Sequence, residues 1–234
     1  MKIIDKRVTL ATIDRFFIAT NVELVHSENN PDRELCRYEF LEILVRLAGA
    51  KFKDIGVCNT YRESMDILLN EHIIPFMKVE PWQEFRDADL WTLEVNDILD
   101  SNLENLKRIY KKHFQPKKHY MSVTDAVNLV MRHAPLGIAE KEALFCIGMS
   151  KMTVVEELTM VENYKKVHFV EFLEFLGRVA HAKYAQDEQM KDAPLWQKIR
   201  GVLQILLPTI LGVEPNEVPY YEVEEKEEEE EVIA

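Results

Sequence analysis

The chain has 234 residues, 47% of them apolar and 30% charged, so it can bury a sizeable core and is not disordered throughout. Its 7 glycines are too few for a turn-rich β-sandwich or barrel and suit a helical protein. The 29 basic and 41 acidic residues give a formal charge of −12, and eight glutamates and one lysine within 222–231 carry −7 of it, so the remainder is mildly acidic and offers no basic face for general nucleic-acid binding.

Cys36, Cys58 and Cys146 lie far apart with no CxxC pair, which argues against a disulfide framework or a zinc site. The opening MKIIDKRVTL lacks the long apolar run of a secretion leader, and Lys2 stands where myristoylation requires glycine. No stretch approaches the ~18 apolar residues of a membrane-spanning helix. A reduced, soluble, cytoplasmic chain without membrane contact is expected.

Helical signals then follow one another along the chain. Leu10, Ile13, Phe16, Phe17 and Ile18 mark a helix over 9–20, and Phe40, Leu41, Leu44 and Leu47 form a stripe of period 3.6 over 37–52. Thr60 and Glu63 have capping-box spacing before Met65, Ile67, Leu68 and Ile73, and that helix should stop before Pro75. Trp91, Val95, Ile98, Leu99, Leu103, Leu106 and Tyr110 predict one long helix over 87–114. Ser122 and Asp125 repeat the cap spacing ahead of Val127, Val130 and Met131, and further helices are expected over 138–160, 168–186 and 193–207. Strand signals are confined to short pieces at 34–36, 120–121 and 167–168, each between two helices.

A repeat joins two of these helices. Residues 39–52 read EFLEILVRLAGAKF and residues 171–184 read EFLEFLGRVAHAKY, identical at nine of fourteen positions with an offset of 132. A match of that length indicates two variants of one helix–loop–helix design. The surroundings of the second copy resemble an EF-hand, a helix, a twelve-residue loop and a second helix. Val167, Phe169, Glu171 and Phe172 fall at positions 8, 10, 12 and 13 of such a loop, and Met121 and Asp125 fall at positions 8 and 12 of the loop before it. Leu35, Glu39 and Phe40 take positions 8, 12 and 13 near the first copy. The resemblance implies an all-α fold of EF-hand-like helix–loop–helix pairs, with minimal two-residue β-bridges between loops.

The resemblance extends to architecture and not to calcium chemistry. Ca²⁺ takes 6–8 oxygen ligands, with side-chain oxygens at positions 1, 3 and 5. Those positions are Phe114, Pro116 and Lys118 in one loop and Met160, Glu162 and Tyr164 in the other, with His119 and Lys165 where glycine is wanted. The 28–39 loop is better supplied: Glu28, Asn30, Asp32 and Glu39 are candidate ligands, although Pro31 and Arg33 disfavour the turn. Metal-free hands of this kind serve as protein-docking modules, and the pattern FLEFLxRxAxxKY with an acidic tail resembles EF-hand-type proteins of ciliary and flagellar axonemes.

Trp196, Ile199, Leu203 and Leu206 share one face of the 193–207 helix and are candidates to fill an apolar cleft, the chain's own or a partner's. Lys111, Lys112, Lys117 and Lys118 form a basic stretch suited to an acidic partner such as a tubulin tail. The seven histidines show no HExxH or other catalytic spacing, and no phosphate-binding or nucleophile motif occurs. The expected organisation is a helical region at 1–89, with one EF-hand-like unit at about 9–52 and a helix at 59–74. An EF-hand-like pair at 90–186, an amphipathic helix at 187–213 and an acidic tail at 214–234 follow. The expected function is a non-enzymatic protein-interaction scaffold without cofactor, set in an axoneme or the cytoskeleton. The alternative is a calcium sensor acting through 28–39.

Overall fold

Helices begin where the sequence supplies a capping oxygen. The hydroxyls of Thr9, Thr60, Thr92 and Ser122 accept the main-chain N–H three residues on, at 3.3, 3.1, 3.4 and 3.1 Å, which satisfies donors that a first turn leaves unpaired. Glu63 and Asp125 return the bond to Thr60 N and Ser122 N at 3.0 and 3.2 Å, completing the two expected capping boxes.

The computed structural model describes residues 3–22, 34–77, 81–114 and 120–216. Among these the fold is all-α apart from one pair of two-residue strands. The elements in order are α1 (Leu10–Thr20), α2 (Arg37–Ala48), α3 (Tyr61–Ile67), α4 (Trp82–Phe85), α5 (Leu93–Ser101), α6 (Leu103–Lys112), β1 (Met121–Ser122), α7 (Val123–Met131), α8 (Glu140–Ser150), α9 (Glu157–Met160), β2 (Lys166–Val167), α10 (Phe169–Tyr184) and α11 (Leu195–Leu211). The chain divides into two compact units, one of 1–81 with 153–164 and the other of 82–152 with 165–234. The boundary thus falls at 81/82, the 153–164 segment belongs with the first unit, and α11 belongs with the second.

In the first unit α1 packs on α2, with Phe16 and Phe17 set against Val8, Ile43 and Leu47. Of the stripe, Leu47 is buried and Leu44 half-buried, while Phe40 and Leu41 are exposed and Ile43 beside them is buried instead. Past Ala48 the helix widens into one turn of i→i+5 bonding over Gly49–Lys53. A side chain at Gly49 would lie 2.6 Å from the Tyr61 ring, so only glycine lets α3 approach this closely. Phe52 and Leu68 close a second small cluster there. The 3₁₀ turn Ile74–Phe76 carries Pro75 within it, so regular α-helix ends well before the proline. The strand considered at 34–36 does not form.

The second unit holds the larger core. The single helix expected over 87–114 is broken twice. It starts as α4, widens over Arg86–Leu90, breaks at Trp91 and restarts at the Thr92 cap. It breaks again at Asn102, whose buried amide donates to Ile98 O at 2.9 Å and accepts Asn216 N at 2.8 Å. That exchange is why a polar residue is tolerated at a fully buried position. The helix expected over 138–160 ends at Ser150, and the chain is extended at Lys151. By contrast, α11 outruns its expected end at 207, continuing through Pro208 to stop at Gly212 in the left-handed conformation, φ 68°.

Candidate functional site

In the second unit, two helix–strand–helix segments meet at their strands. α6, β1 and α7 form one; α8, β2 and α10 form the other, with the 153–164 segment and its α9 leaving the second unit between α8 and β2. β1 pairs antiparallel with β2, Met121 opposite Val167 and Ser122 opposite Lys166. Both central side chains are fully buried. Tyr110 on α6 braces the bridge, its hydroxyl donating to Val167 O at 2.7 Å and its ring 5.6 Å from that of Phe172. Burial, with the nearby charge of Glu171, raises the Tyr110 pKa above its ordinary value, so the phenol stays a donor.

Each exit helix opens on an acid at its third residue. Asp125 caps α7 through Ser122, its Oδ2 accepting the Ser122 hydroxyl at 2.6 Å. Glu171 opens α10 and accepts His168 N at 2.7 Å. Its carboxylate also takes the Lys151 ammonium at 2.9 and 2.8 Å and Met152 N at 2.8 Å. Sequence reasoning missed this group. Lys151 had been placed inside a continuous helix, and the only available signal was the polar pair Ser150–Lys151 between two apolar runs.

α11 lies against α10, α5 and α6. Ile199, Leu203 and Leu206 are fully buried in the shared core, with Trp196 packed at its edge. Of the two places open to these side chains, the chain's own core or a partner's cleft, they occupy the first, and they are not available to a separate protein while α11 is seated. The physical reason is proximity in the chain, since α11 follows α10 by a short link and closes at small entropic cost. Gly201 lets Tyr184 lie against the helix: a Cβ there would fall 2.2 Å from the phenol oxygen.

A second buried charge cluster anchors the start of the unit. Glu174 accepts from Arg86 Nε at 2.9 and 3.0 Å and from Arg178 Nε at 2.9 Å, and Arg178 also donates to Trp82 O at 3.1 Å. The guanidinium groups stack on Trp82 and Phe85, at 4.9 and 4.4 Å from the ring centres.

The basic residues divide. Lys112 donates to Ile210 O at 2.8 Å, so it ties α6 to the end of α11 where helix carbonyls are unpaired. Lys111 is exposed. Lys117 and Lys118 lie outside the described residues, as do Glu28, Asn30 and Asp32. Glu39 is described, and it is buried with its carboxylate accepting Cys36 N at 2.8 Å, the role of an α2 cap. Among the described residues no group of three or more His, Cys, Asp or Glu is arranged to hold a metal ion, and no helix is long and apolar enough to cross a membrane. Burial lowers the pKa of His133, helped by the neighbouring His113. No protein-family model matches the chain, and no curated protein and no solved structure matches it.

Proposed function

We propose that this chain is a non-enzymatic protein-docking module built on a degenerate, EF-hand-like pair that works without calcium. The observation that carries the reading is the Met121–Val167 bridge, which joins two helix–strand–helix segments through the residues expected at equivalent loop positions. Three further features support it. Position 1 of each loop is apolar, Phe114 and Met160, and cannot ligate calcium. The apolar face of α11 is packed into the shared core, so no metal-driven opening is needed to present a stable surface. Large apolar side chains remain outside the cores, notably Phe40 and Leu41 on α2 and Trp91 and Leu93 at the start of α5. Partners would engage these faces, and an acidic partner would add Lys111, Lys117 and Lys118. The cytoplasmic, axonemal or cytoskeletal setting, with a tubulin-associated neighbour, rests on the resemblance of the repeat and acidic tail to ciliary proteins.

Proximity labelling in the native cell with the full chain as bait tests the reading. Axonemal or tubulin-associated neighbours are expected, weakened by Phe40→Ser with Leu41→Ser or by Trp91→Ser. Nuclear or membrane neighbours would overturn the setting, and an unchanged set in both variants would overturn the surfaces. Calorimetry with micromolar Ca²⁺ is expected to show no saturable heat. A tight site abolished by Glu39→Gln would instead favour a sensor acting through 28–39.

A further inference from the structure

The turn entering α10 converges three oxygens on one nitrogen. Both carboxylate oxygens of Glu171, which is 1% exposed, and the carbonyl of Lys166 accept from Lys151 Nζ. Met152 N and His168 N complete the carboxylate's partners. The lysine comes from the end of α8 and its side chain is itself 11% exposed. A bidentate carboxylate and a main-chain carbonyl, held together out of water, are the ligands that a small hard cation takes. In the twelve-residue numbering they are positions 12 and 7, the two that supply a bidentate carboxylate and a backbone carbonyl. An ammonium is a compact point charge with three donors, and its long stem usually carries it into water. Here it is drawn inward onto those oxygens.

We propose that this turn is a cation site filled by the chain's own Lys151. The ammonium acts as a tethered ion that makes the turn independent of metal, and a small hard cation enters when the ammonium is withdrawn. The geometry explains both why an acid stands at Glu171 and why its loop can lack other ligands. A buried carboxylate without a counter-charge is strongly disfavoured, so the acid and the lysine are required together. The inference uses only these contacts and stands apart from whether the chain docks a partner.

The test is the thermal midpoint of the full chain and of Lys151→Ala, with CaCl₂ or methylammonium chloride added against NaCl of equal ionic strength. The midpoint of the native chain is expected not to move. That of Lys151→Ala is expected to be lower and to rise saturably, by roughly 3–5 °C at ten times the dissociation constant. Methylammonium acting alone would assign the site to ammonium-like ions, and calcium acting at lower concentration would assign it to divalent ones. Adding Glu171→Gln should abolish the response. A Lys151→Ala chain that is as stable as the native one, or that neither cation restores, overturns the proposal. If Lys151→Ala does not fold, Lys151→Met with Glu171→Gln decides: recovery of the fold supports a counter-ion role, and failure to recover it overturns that role.

Discussion

Two fourteen-residue strings identical at nine positions form α2 with its following wide turn in the first unit and α10 in the second, and the copies end in opposite environments. Their local chemistry is shared. Glu39 caps α2 by accepting Cys36 N at 2.8 Å, and Glu171 caps α10 by accepting His168 N at 2.7 Å. Glu42 pairs with Arg46 one turn on at 2.6 Å, and Glu174 pairs with Arg178 at 2.8 Å. What differs is the company. Phe40 is 53% exposed and its counterpart Phe172 is 0% exposed, and the Glu42–Arg46 pair lies in solvent while Glu174–Arg178 is buried with Arg86. A repeated string therefore fixes caps and i,i+4 pairs, which need only their own helix. Burial depends on neighbours the string does not contain, here α8 and α11.

The largest contrast is expected at the aromatic position. Phe172→Ala should cost about 3–5 kcal/mol, because the ring fills a close-packed core that cannot collapse onto the gap. Phe40→Ala should stay within about 0.5 kcal/mol, as for an exposed site. Urea unfolding of the two variants checks both, and equal costs would show that α2 packs as α10 does. The ion pairs should divide in the same way. Glu174→Gln leaves two buried guanidinium groups without their acid and should cost about 3–5 kcal/mol. Glu42→Gln removes an exposed i,i+4 pair worth about 0.3–0.5 kcal/mol.

That contrast also marks how far the sequence can be read. The all-α class, the capping boxes at Thr60 and Ser122, the short strands at Met121 and Val167 and the burial of Phe172 all follow from local pattern, because each needs only a few adjacent residues. The breaks at Trp91 and Asn102 do not follow. Val95, Ile98, Leu103 and Leu106 continue an apolar rhythm across the break, and the bond that stabilises the Asn102 interruption comes from Asn216, far along the chain. The Lys151–Glu171 contact was hidden for the same reason. The pattern runs one helix through Lys151, and only the fold brings its ammonium to an acid twenty residues on. The exposure of Phe40 does not follow from the pattern either, because periodicity gives a face but not which side of it the neighbours occupy.

A glycine sharpens the comparison at smaller scale. Position 177 is Gly where the first copy has Val45. A Cβ at 177 would lie 2.9 Å from the Leu90 side chain but at an ordinary 3.9 Å from Ile199 and Leu195, so the absent side chain makes room for Leu90 of the 86–90 turn on α10. Gly177→Val should cost about 1–3 kcal/mol through overpacking. Val45→Gly, at a half-buried position, should cost less than about 1 kcal/mol, the loss of helix propensity. Reciprocal substitutions with equal effects would mean that Leu90 packs no closer on α10 than α2's neighbours do on α2.

The smallest expected effect separates the two lysines near the ends of the strings. Lys183 donates to the carbonyls of Pro135 and Leu136, which do not titrate. Lys51, its counterpart, reaches Asp5 Oδ2 at 2.5 Å, while Asp5 Oδ1 accepts Arg7 N and Val8 N at 2.8 and 2.9 Å. The bond from Lys51, followed by those two N–H groups, holds the Asp5 carboxyl far below its ordinary value of 3.8. A folded-state pKa below the unfolded one means that the unfolded chain binds the proton first. The contribution of Asp5 is therefore complete above the unfolded value and is lost as pH falls below about 4 toward the folded value. Solvent exposure of Asp5 keeps the effect small and salt-sensitive. The check is the difference in urea midpoint between the native chain and Asp5→Asn from pH 7 to pH 3. It should be constant above about pH 5 and shrink below about pH 4. Lys183→Met should shift the midpoint without changing its slope in acid. Parallel curves for the native chain and Asp5→Asn would show that the ionisation of Asp5 adds nothing to the stability of the first unit, and acid sensitivity would then no longer distinguish the two copies.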